Sequence, residues 1–509
     1  MTLLPFLIVT IGGAVAVLFV RGPERIAIGM GLLALVAALA TALAIQTGQS
    51  LVIDASGLAT TDYLRLFLVL GAFVGLVLAV IGFAAGSRRD ATAVTLAILG
   101  TSALALALPD ARLAVLAATA GGMFGALLCI APLGGRAGAT VGIRALRATI
   151  VAGTMAVAAA AWIGRDLSEL AARPVVFELA YLAMALAVAI RFGVIPVHAW
   201  AARLTDAVPE TTLPLVTAWA PATLAIVALA WADASIAPLL VDVEQARSVI
   251  IVIALASILL ASVAAWIQED LEHIVGYAIV GDAGVVMLAI AALDPEAWAP
   301  ARIWILSFVV ARSAFAAWAA ATRTTYFTGR IADLRGWAIR SPLLAVAFVI
   351  VVLASIGLPG LAAFDARGAL IDLTLDGPLA LVAWLGVLSP LAYYGRLFLV
   401  GIRRSDARPS EPTWRPRLSP ISLTDLRGWL ATTWSDNRAF FAASSATLLA
   451  VVALAVSAGM FGAREAAAGL PPTVERAIES FGPGSPEGPL SSLDPRALGD
   501  PVESAPITP

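Results

Sequence analysis

Long runs of apolar residues recur along the chain and are separated by shorter polar stretches. A helix needs roughly 20 apolar residues to cross a bilayer, so the pattern predicts about fourteen membrane spans. Backbone groups in lipid must be hydrogen-bonded within their own segment, and these Ala-, Leu- and Val-rich runs with few breaks therefore predict helices rather than barrel strands. The predicted spans cover residues 3–20, 25–46, 63–85, 91–108, 110–134, 145–163, 174–195, 211–232, 246–267, 271–293, 298–322, 341–362, 377–400 and 439–460.

The placement of arginine between the spans predicts the orientation of the chain. Cytoplasmic loops of membrane proteins carry an excess of basic residues. Alternate loops are rich in arginine here, whereas the loop 47–62 has none. Both termini are therefore predicted to face outward from the cell inner (plasma) membrane. The arginine-rich loops contain Arg21, Arg25, Arg88, Arg89, Arg136, Arg144, Arg323, Arg330, Arg335, Arg340 and the run from Arg403 to Arg438.

The C-terminal part of the chain changes character twice. Residues 403–437 contain four prolines and are too polar to span a membrane, which predicts a cytoplasmic linker. Residues 438–460 predict a last transmembrane helix. Residues 461–509 are rich in Gly, Pro and Ser with an excess of carboxylates, a composition typical of a mostly disordered acidic tail.

Composition narrows the possible chemistry. Hydrophobic residues make up 61% of the 509 residues, charged residues only 13%, and the mean hydropathy is +0.94. All 32 basic residues are arginine and the net charge is −2, so the sequence lacks the excess of positive charge that is typical of nucleic-acid-binding proteins. A single cysteine, Cys129, excludes an internal disulfide or a cysteine cluster. With no P-loop, Rossmann fingerprint or metal-ligand spacing, we expect no cofactor, metal, redox or hydrolytic site on this chain.

Few ionisable residues lie inside the predicted spans. Such residues cost roughly 2.5–3.5 kcal/mol each on insertion scales, so each is a functional candidate by default. Each also has a plainer interpretation, as a partnered structural charge or as a side chain that snorkels to the membrane surface. The deepest are Arg191, Asp282 and Arg312, while Glu178, Asp365 and Arg367 lie nearer span ends or breaks.

Two of the predicted spans contain helix-breaking residues. Gly193 and Pro196 interrupt the seventh span just before His198, and Gly357 and Pro359 interrupt the twelfth. Interrupted helices at membrane depth are tolerated where they line a cavity or are buried in protein, and in transporters they often mark ion sites. A kink that serves only packing is the alternative interpretation.

Four sequence motifs occur in order along the chain. They are Arg191-Phe-Gly-Val-Ile-Pro-Val-His-Ala-Trp200, Asp270-Leu-Glu-His-Ile-Val-Gly-Tyr277, Gly357-Leu-Pro-Gly-Leu-Ala-Ala-Phe-Asp-Ala-Arg367 and Tyr393-Tyr-Gly-Arg396. With these motifs the chain resembles the antiporter-like membrane subunits of respiratory complex I, membrane-bound hydrogenases and Mrp-type sodium/proton antiporters. The resemblance implies an all-α polytopic membrane protein with two inverted five-helix repeats, over residues 91–235 and 246–402 after a three-helix segment 1–90, each repeat with a broken helix.

The same resemblance implies a function in moving protons or sodium ions across the membrane, with other membrane subunits of a multisubunit complex as partners. Such a chain would be one subunit of a translocase of the NADH:quinone oxidoreductase type. Any redox chemistry would then belong to the partner subunits.

The sequence departs from the family pattern at its charged positions. Where the family has lysines, this chain has Arg191, Arg312 and Arg367, and the family's fifth-span glutamate is missing, replaced around Gly121 or Gly122. Lysine can lose its proton when it is buried, whereas guanidinium effectively cannot. Two explanations stay open, namely compositional drift toward arginine and relaxed selection on a fold that is kept as a scaffold.

These observations lead to a working hypothesis. Arg191, Asp282 and Arg312 form a polar axis in which water carries protons between fixed charges, and Asp282 is the one group that titrates. Candidate residues around this axis are Arg367, His198, Glu178 and Asp365. Two alternatives are a degenerate subunit with a structural or assembly role and the membrane subunit of an inorganic-carbon uptake complex.

Overall fold

Apolar helices form almost all of the part of the chain that the structure describes. The computed structural model describes residues 1–20, 24–48, 50–53, 56–86, 90–130, 136–163, 174–235, 243–403, 434 and 436–472. Most of the predicted linker 403–437 and the predicted tail from residue 473 onward lie outside the described residues. A short antiparallel hairpin, β1 (Ser50–Ile53) and β2 (Ser56–Ala59), connects the second and third helices.

The helices of the described residues follow one another with short connections. The first eight are α1 Leu4–Phe19, α2 Glu24–Leu43, α3 Asp62–Ala85, α4 Asp90–Ala107, α5 Ala111–Ile130, α6 Arg136–Ile163, α7 Pro174–Phe192 and α8 Ala199–Thr205. The remaining ones are α9 Ala220–Ser235, α10 Glu244–Ile267, α11 Leu271–Ala292, α12 Trp298–Tyr326, α13 Trp337–Arg340, α14 Pro342–Ile356, α15 Ala362–Thr374, α16 Gly377–Leu388, α17 Pro390–Ile402, α18 Arg438–Ser457 and α19 Ala463–Ala468. A π-helical turn, Leu215–Trp219, leads directly into α9.

Ten helical segments of the described chain are long and apolar enough to cross a membrane. Four shorter apolar helices, Leu4–Phe19, Thr92–Ala107, Ala111–Leu127 and Pro342–Ile356, accompany them. The expected all-α polytopic architecture is therefore confirmed. The count of about fourteen spans and the inverted relation between the two repeats stay predictions.

Two helices form the centre of the bundle. The segment Leu215–Ala234 is buried except at Asp233, and the middle of the segment Pro295–Tyr326, residues 304–322, is buried throughout. A helix that is apolar on every side is stable only inside a large protein or in a membrane. By contrast, only a minority of the residues of Ile26–Leu43 in α2 are buried. Helix α12 therefore carries its polar residues in protein surroundings, whichever direction they point.

One helix in each half of the chain is interrupted. Helix α7 ends at Phe192 and α8 begins at Ala199, with Gly193 at φ 64° and a cis peptide bond before Pro196. Helix α14 ends at Ile356 and α15 begins at Ala362. Gly357 (φ 73°) between them lies in the left-handed half of conformational space, where a side chain would be strained. The two breaks lie at the positions that the sequence motifs single out.

The described start of the predicted tail is helical. Helix α19 buries Ala463, Ala466 and Ala467 against the bundle. Two hydrogen bonds hold the end of this helix, because Arg302 donates to the carbonyl oxygens of Ala467 (3.0 Å), in its last turn, and of Gly469, just after it. Residues 461–472 therefore differ from the expected disorder, since small apolar side chains let this segment pack closely on α12 and α3.

Candidate functional site

A buried ion pair lies at the middle of the second half of the chain. Asp282 stands halfway along α11 and Arg312 halfway along α12. The Nε atom of Arg312 lies 2.6 Å from the Oδ2 atom of Asp282, and their side chains are 1% and 9% exposed. Charges at such depth are costly unless they are paired and hydrogen-bonded. Each residue therefore makes the burial of the other tolerable.

Two tyrosines complete the surroundings of the Arg312 guanidinium. Its Nη1 atom donates a hydrogen bond to the Tyr394 hydroxyl at 2.6 Å and a longer one to the Tyr393 hydroxyl at 3.4 Å. Both tyrosines lie on α17 and their rings are 4.5 Å apart. One carboxylate and two phenols from two other helices thus hold the guanidinium in place.

Arg367 on α15 approaches the same cluster from the broken helix. Its Nη2 atom donates a hydrogen bond to the carbonyl oxygen of Ile356, the last residue of α14. Helix ends leave carbonyl groups without partners, and a basic side chain is a favourable one. The guanidinium carbon of Arg367 lies 5.0 Å from the centre of the Trp304 ring. Arg367 therefore stabilises the break and brings a second positive charge near Asp282.

A small cavity joins these groups. Its volume is about 10 Å³, which is the room for about one water molecule. The polar residues that line it are Ser262, Tyr277, Asp282, Arg367 and Tyr393. With five side chains able to hydrogen-bond, the cavity offers at least the two to four polar partners that a buried water needs. The ion pair is thus in contact with a site that suits water.

His198 lies next to this cluster, at the break in the first half. Its ring centre is 6.3 Å from that of Tyr277, which lines the cavity. Its buried Nδ1 atom has no hydrogen-bond partner among the described residues. Nearby, the backbone N–H of Ile195 donates to the Ser257 hydroxyl at 3.1 Å. The first break is therefore in contact with the second half of the chain through α10 and α11.

Arg191 stays apart from the Asp282 cluster. It is buried at the end of α7, and its Nη1 atom donates to the Thr149 hydroxyl at 2.8 Å. Its Nε and Nη2 atoms have no hydrogen-bond partner, and Arg191 makes none of the ion pairs found among the described residues. A side chain at Gly122 would overlap the guanidinium. The structure thus pairs two members of the expected axis, Asp282 and Arg312, and leaves the third without a carboxylate.

Two of the candidate residues lie at the periphery. Glu178 accepts a hydrogen bond from the backbone N–H of Ala246 (3.0 Å) in the first turn of α10, where helices lack internal partners. Asp365 is half exposed, lies 3.7 Å from Arg464 and accepts a hydrogen bond from the backbone N–H of Gly360. Both contacts hold segments of backbone in place and neither reaches the cavity.

Sequence reasoning missed three residues of this interior. Tyr393 and Tyr394 lie inside a motif that was used only for the resemblance. Arg302 was passed over, although it lies within a predicted span, and its guanidinium stacks 3.8 Å from the Tyr63 ring centre. The signal available for Arg302 was its position in an apolar run. No group of three or more His, Cys, Asp or Glu side chains that could hold a metal occurs among the described residues.

The family-model comparison covers the two halves that carry these clusters. A model described as "NADH:quinone oxidoreductase/Mrp antiporter, TM" matches residues 110–391, more than half of the chain. NADH-quinone oxidoreductase subunit N of Halorhodospira halophila is 26% identical over 246 residues, 46% of this chain and 49% of the relative. The corresponding subunit of Hydrogenovibrio crunogenus is 24% identical over 250 residues, 49% and 51% of the two chains. The chain spans about half the length of these relatives.

Solved structures share the fold over nearly the whole chain. A chain of respiratory complex I from Thermus thermophilus with bound NADH matches with a TM-score of 0.68 and 18% identity, covering 93% of this chain and all of that one (100%). A chain of the Mrp complex from Dietzia sp. DQ12-45-1b matches with a TM-score of 0.66 and 18% identity, covering 95% and 96%. The resemblance inferred from the four motifs is thus confirmed, and this multi-pass integral membrane protein belongs to the NADH:quinone oxidoreductase/Mrp antiporter transmembrane family.

Proposed function

We propose that this chain moves protons across the membrane as one membrane subunit of a multisubunit complex, and that Asp282 is the group that gains and loses the proton. The single observation that carries this proposal is the buried Asp282–Arg312 pair beside a cavity of water size. Among the described residues the buried carboxylates are Asp282 and Glu210, and Glu210 pairs with Arg323 near the end of α12.

The chemistry of the cluster assigns different roles to its members. A guanidinium group does not give up its proton in proteins, so Arg312 and Arg367 act as fixed positive charges. The Arg312 guanidinium balances the negative charge of the Asp282 carboxylate. A proton that arrives through the cavity neutralises the Asp282 carboxylate and weakens its bond to Nε of Arg312. The two tyrosine hydroxyls then keep the guanidinium in place until the proton leaves.

His198 and Tyr277 provide the entry to the cavity in this mechanism. The Nδ1 atom of His198 has no hydrogen-bond partner in the described part of the chain, which leaves one ring nitrogen available for water. Tyr277 lies between that ring and the cavity. Protons would thus pass from the broken helix of the first half to the ion pair of the second half.

The charge of the cluster favours protons over sodium ions. A sodium ion would need oxygen ligands from Asp282, but that carboxylate already binds Arg312. Arg367 adds a second positive charge to the same cavity wall, which repels a further cation. A proton is absorbed by the carboxylate itself and needs no additional ligands.

The relatives support other membrane subunits as partners. They are named as subunits of NADH-quinone oxidoreductase, and the structural neighbours are chains of complex I and Mrp complexes. The arginine distribution between spans supports an inner-membrane location with both termini outside. Redox or other driving chemistry belongs to those partners in this proposal.

A structural or assembly role is the second candidate, and one observation favours it. Arg191 has no carboxylate partner among the described residues, so the first half holds a fixed charge without a group that titrates beside it. If the second half were equally inert, the chain would contribute packing surface to its complex and no proton pathway.

Proton flux in vesicles tests the proposal. The chain, together with the subunits that copurify with it, is reconstituted in liposomes that contain a pH-sensitive dye. Asp282→Asn removes the titrating group, and we expect flux to fall by about 10²-fold, the usual scale for loss of a proton-transfer residue. Asp365→Asn is the matched control, because the same chemical change at a half-exposed carboxylate leaves the cavity intact. Unchanged flux in Asp282→Asn would overturn proton transfer at this residue and favour the structural role.

A further inference from the structure

The Arg191 guanidinium is a buried positive charge with few partners. Arg312 has a carboxylate and two phenols, and Arg302 has two carbonyl oxygens. Arg191 has only the Thr149 hydroxyl, although it is 2% exposed. Its Nε and Nη2 atoms, both inaccessible to solvent, donate to no acceptor in the described chain. A guanidinium carries five N–H donors and no acceptor, so most of its hydrogen-bonding capacity is unused.

A second donor without a partner lies at the same helix junction. The buried hydroxyl oxygen of Thr119 on α5 has no hydrogen-bond partner among the described residues. It faces Gly153 on α6, since a side chain at Gly153 would lie 2.9 Å from that oxygen. Thr149, which contacts Arg191, lies four residues before Gly153 and therefore on the same face of α6. Residues one turn apart are about 5.4 Å apart along a helix.

The α5 side of the junction has the same spacing. Thr119 and Gly122 are three residues apart and share a helix face. Gly122 faces the Arg191 guanidinium, because a side chain there would overlap its Nη2, Cζ and Nε atoms. Gly122 and Thr149 thus contact Arg191 at the end of α7, while Thr119 and Gly153 contact each other about one helical turn away. The junction of α5, α6 and α7 therefore holds two groups with unused donors, Arg191 and Thr119, and no carboxylate among the described residues.

The charge balance of this junction selects the kind of ligand. A buried guanidinium without a counter-charge is unfavourable. Removing one partner of a buried ion pair is strongly destabilising, because the other charge stays buried and unpaired. Cations are repelled by the fixed charge, and a neutral ligand does not compensate it. The helices pack closely here, because a side chain at Gly122 would overlap Arg191 and one at Gly153 would overlap Thr119, so only a small ion would fit between them.

We propose that a small monovalent anion of chloride size binds at the junction of α5, α6 and α7, where it accepts hydrogen bonds from Nε and Nη2 of Arg191 and from the hydroxyl of Thr119. The anion supplies the negative charge that Asp282 supplies to Arg312. This site does not depend on proton transfer at Asp282, so its test and the flux test are independent.

Chloride itself is the probe. The full chain is purified in lipid nanodiscs with gluconate as the only other anion, and bound radioactive chloride is measured at equilibrium together with the melting temperature. We expect saturable binding of a single chloride per chain and a melting temperature that rises by about 3 °C as chloride reaches saturation, because a ligand that binds only the folded state stabilises it.

Substitutions at the junction give the decisive comparison. Arg191→Met removes the charge, and we expect it to abolish chloride binding. Gly122→Glu supplies a carboxylate beside the flexible end of Arg191, and we expect a folded protein that no longer binds chloride. Thr119→Val removes one donor and should weaken binding by about 3- to 10-fold. Arg302→Gln is the control, because it alters another buried arginine that already has carbonyl partners and should leave chloride binding unchanged.

Each outcome decides the proposal. If the unmodified chain binds no chloride, or if Arg191→Met binds it as tightly as the unmodified chain, the anion site does not exist as described. If Arg191→Met fails to fold, Gly122→Glu decides the question alone: chloride binding that is lost supports the site, and binding that is retained overturns it.

Discussion

The two halves of this molecule place the same residue type in contrasting surroundings. Each half has an interrupted helix and a buried arginine near the middle of the bundle. In the second half, Arg312 contacts Asp282 and two tyrosines. In the first half, Arg191 contacts one threonine hydroxyl. The same group therefore belongs to a buried ion pair in one half and has no carboxylate partner among the described residues in the other.

The contrast shows that the partner of an arginine decides what the arginine can do. A guanidinium keeps its proton, so any proton that is exchanged beside an arginine must bind to a neighbouring group. In the second half that neighbour is Asp282, to which we assign this function as a proposal. In the first half the facing position is Gly122, which has no side chain. Proton transfer in this chain is therefore expected to depend on the second half alone.

The largest expected effect compares the two arginines directly. Arg312→Met leaves Asp282 buried without its cation, and we expect a loss of about 3–5 kcal/mol in the free energy of unfolding. Arg191→Met leaves the Thr149 hydroxyl without its donor but also removes a buried charge that has no carboxylate partner among the described residues, so we expect a change of less than about 1 kcal/mol. Unfolding of the purified chains in detergent, followed by tryptophan fluorescence, measures both.

The double variant Asp282→Asn/Arg312→Met is the control for this comparison. It removes both charges of the pair, so we expect it to be more stable than Arg312→Met alone. Equal destabilisation by the two single arginine variants would show that the halves are energetically alike, and the contrast drawn here would then be wrong.

A smaller effect distinguishes the two tyrosines of the second half. Tyr394→Phe removes the 2.6 Å hydrogen bond from Arg312, whereas Tyr393→Phe removes the 3.4 Å one. Hydrogen bonds to charged groups contribute about 1.5–3 kcal/mol, and long ones contribute less. We therefore expect Tyr394→Phe to lower the melting temperature more than Tyr393→Phe. The reverse order would mean that Arg312 prefers Tyr393 in the membrane.

The smallest effects are expected for the two peripheral carboxylates. Glu178→Gln weakens the acceptor at the start of α10 and should cost about 1 kcal/mol of stability, the usual value of a helix-start contact. Asp365→Asn removes an exposed ion pair and should change stability by less than about 1 kcal/mol. Neither should change proton flux in vesicles. A large loss of flux in either variant would place a proton pathway along the rim of the bundle.

Much of the fold was accessible from sequence because helices in lipid leave a simple signal. Apolar runs of span length gave the helices, and Gly193 with Pro196 and Gly357 with Pro359 marked the places where α7 and α14 end. Pro390 was not recognised as a boundary, although α16 ends and α17 begins around it. The helix continues there in nearly the same direction, since Ser389 keeps helical backbone angles, so the apolar run is not disturbed.

The site was only partly predictable, for a physical reason. Sequence shows which residues are expensive to bury, and Asp282, Arg312 and Arg191 were found in that way. It does not show which of them meet, because that depends on how α11, α12 and α17 pack. The contact of Arg312 with Asp282 across two helices, and the lack of such a contact for Arg191, needed three-dimensional structure.

Arg302 ties the described C-terminal residues to the helix that also carries Arg312. It accommodates its charge by donating to the carbonyl oxygens of Ala467 and Gly469, outside its own helix. A truncation upstream of Ala463 would remove both acceptors and leave this arginine stacked only on aromatic rings. Expression tags are therefore better attached downstream of residue 472. Shortened versions of the chain should keep the hydrogen bonds of Arg302 to Ala467 and Gly469 if their activity is to be compared with that of the unshortened chain.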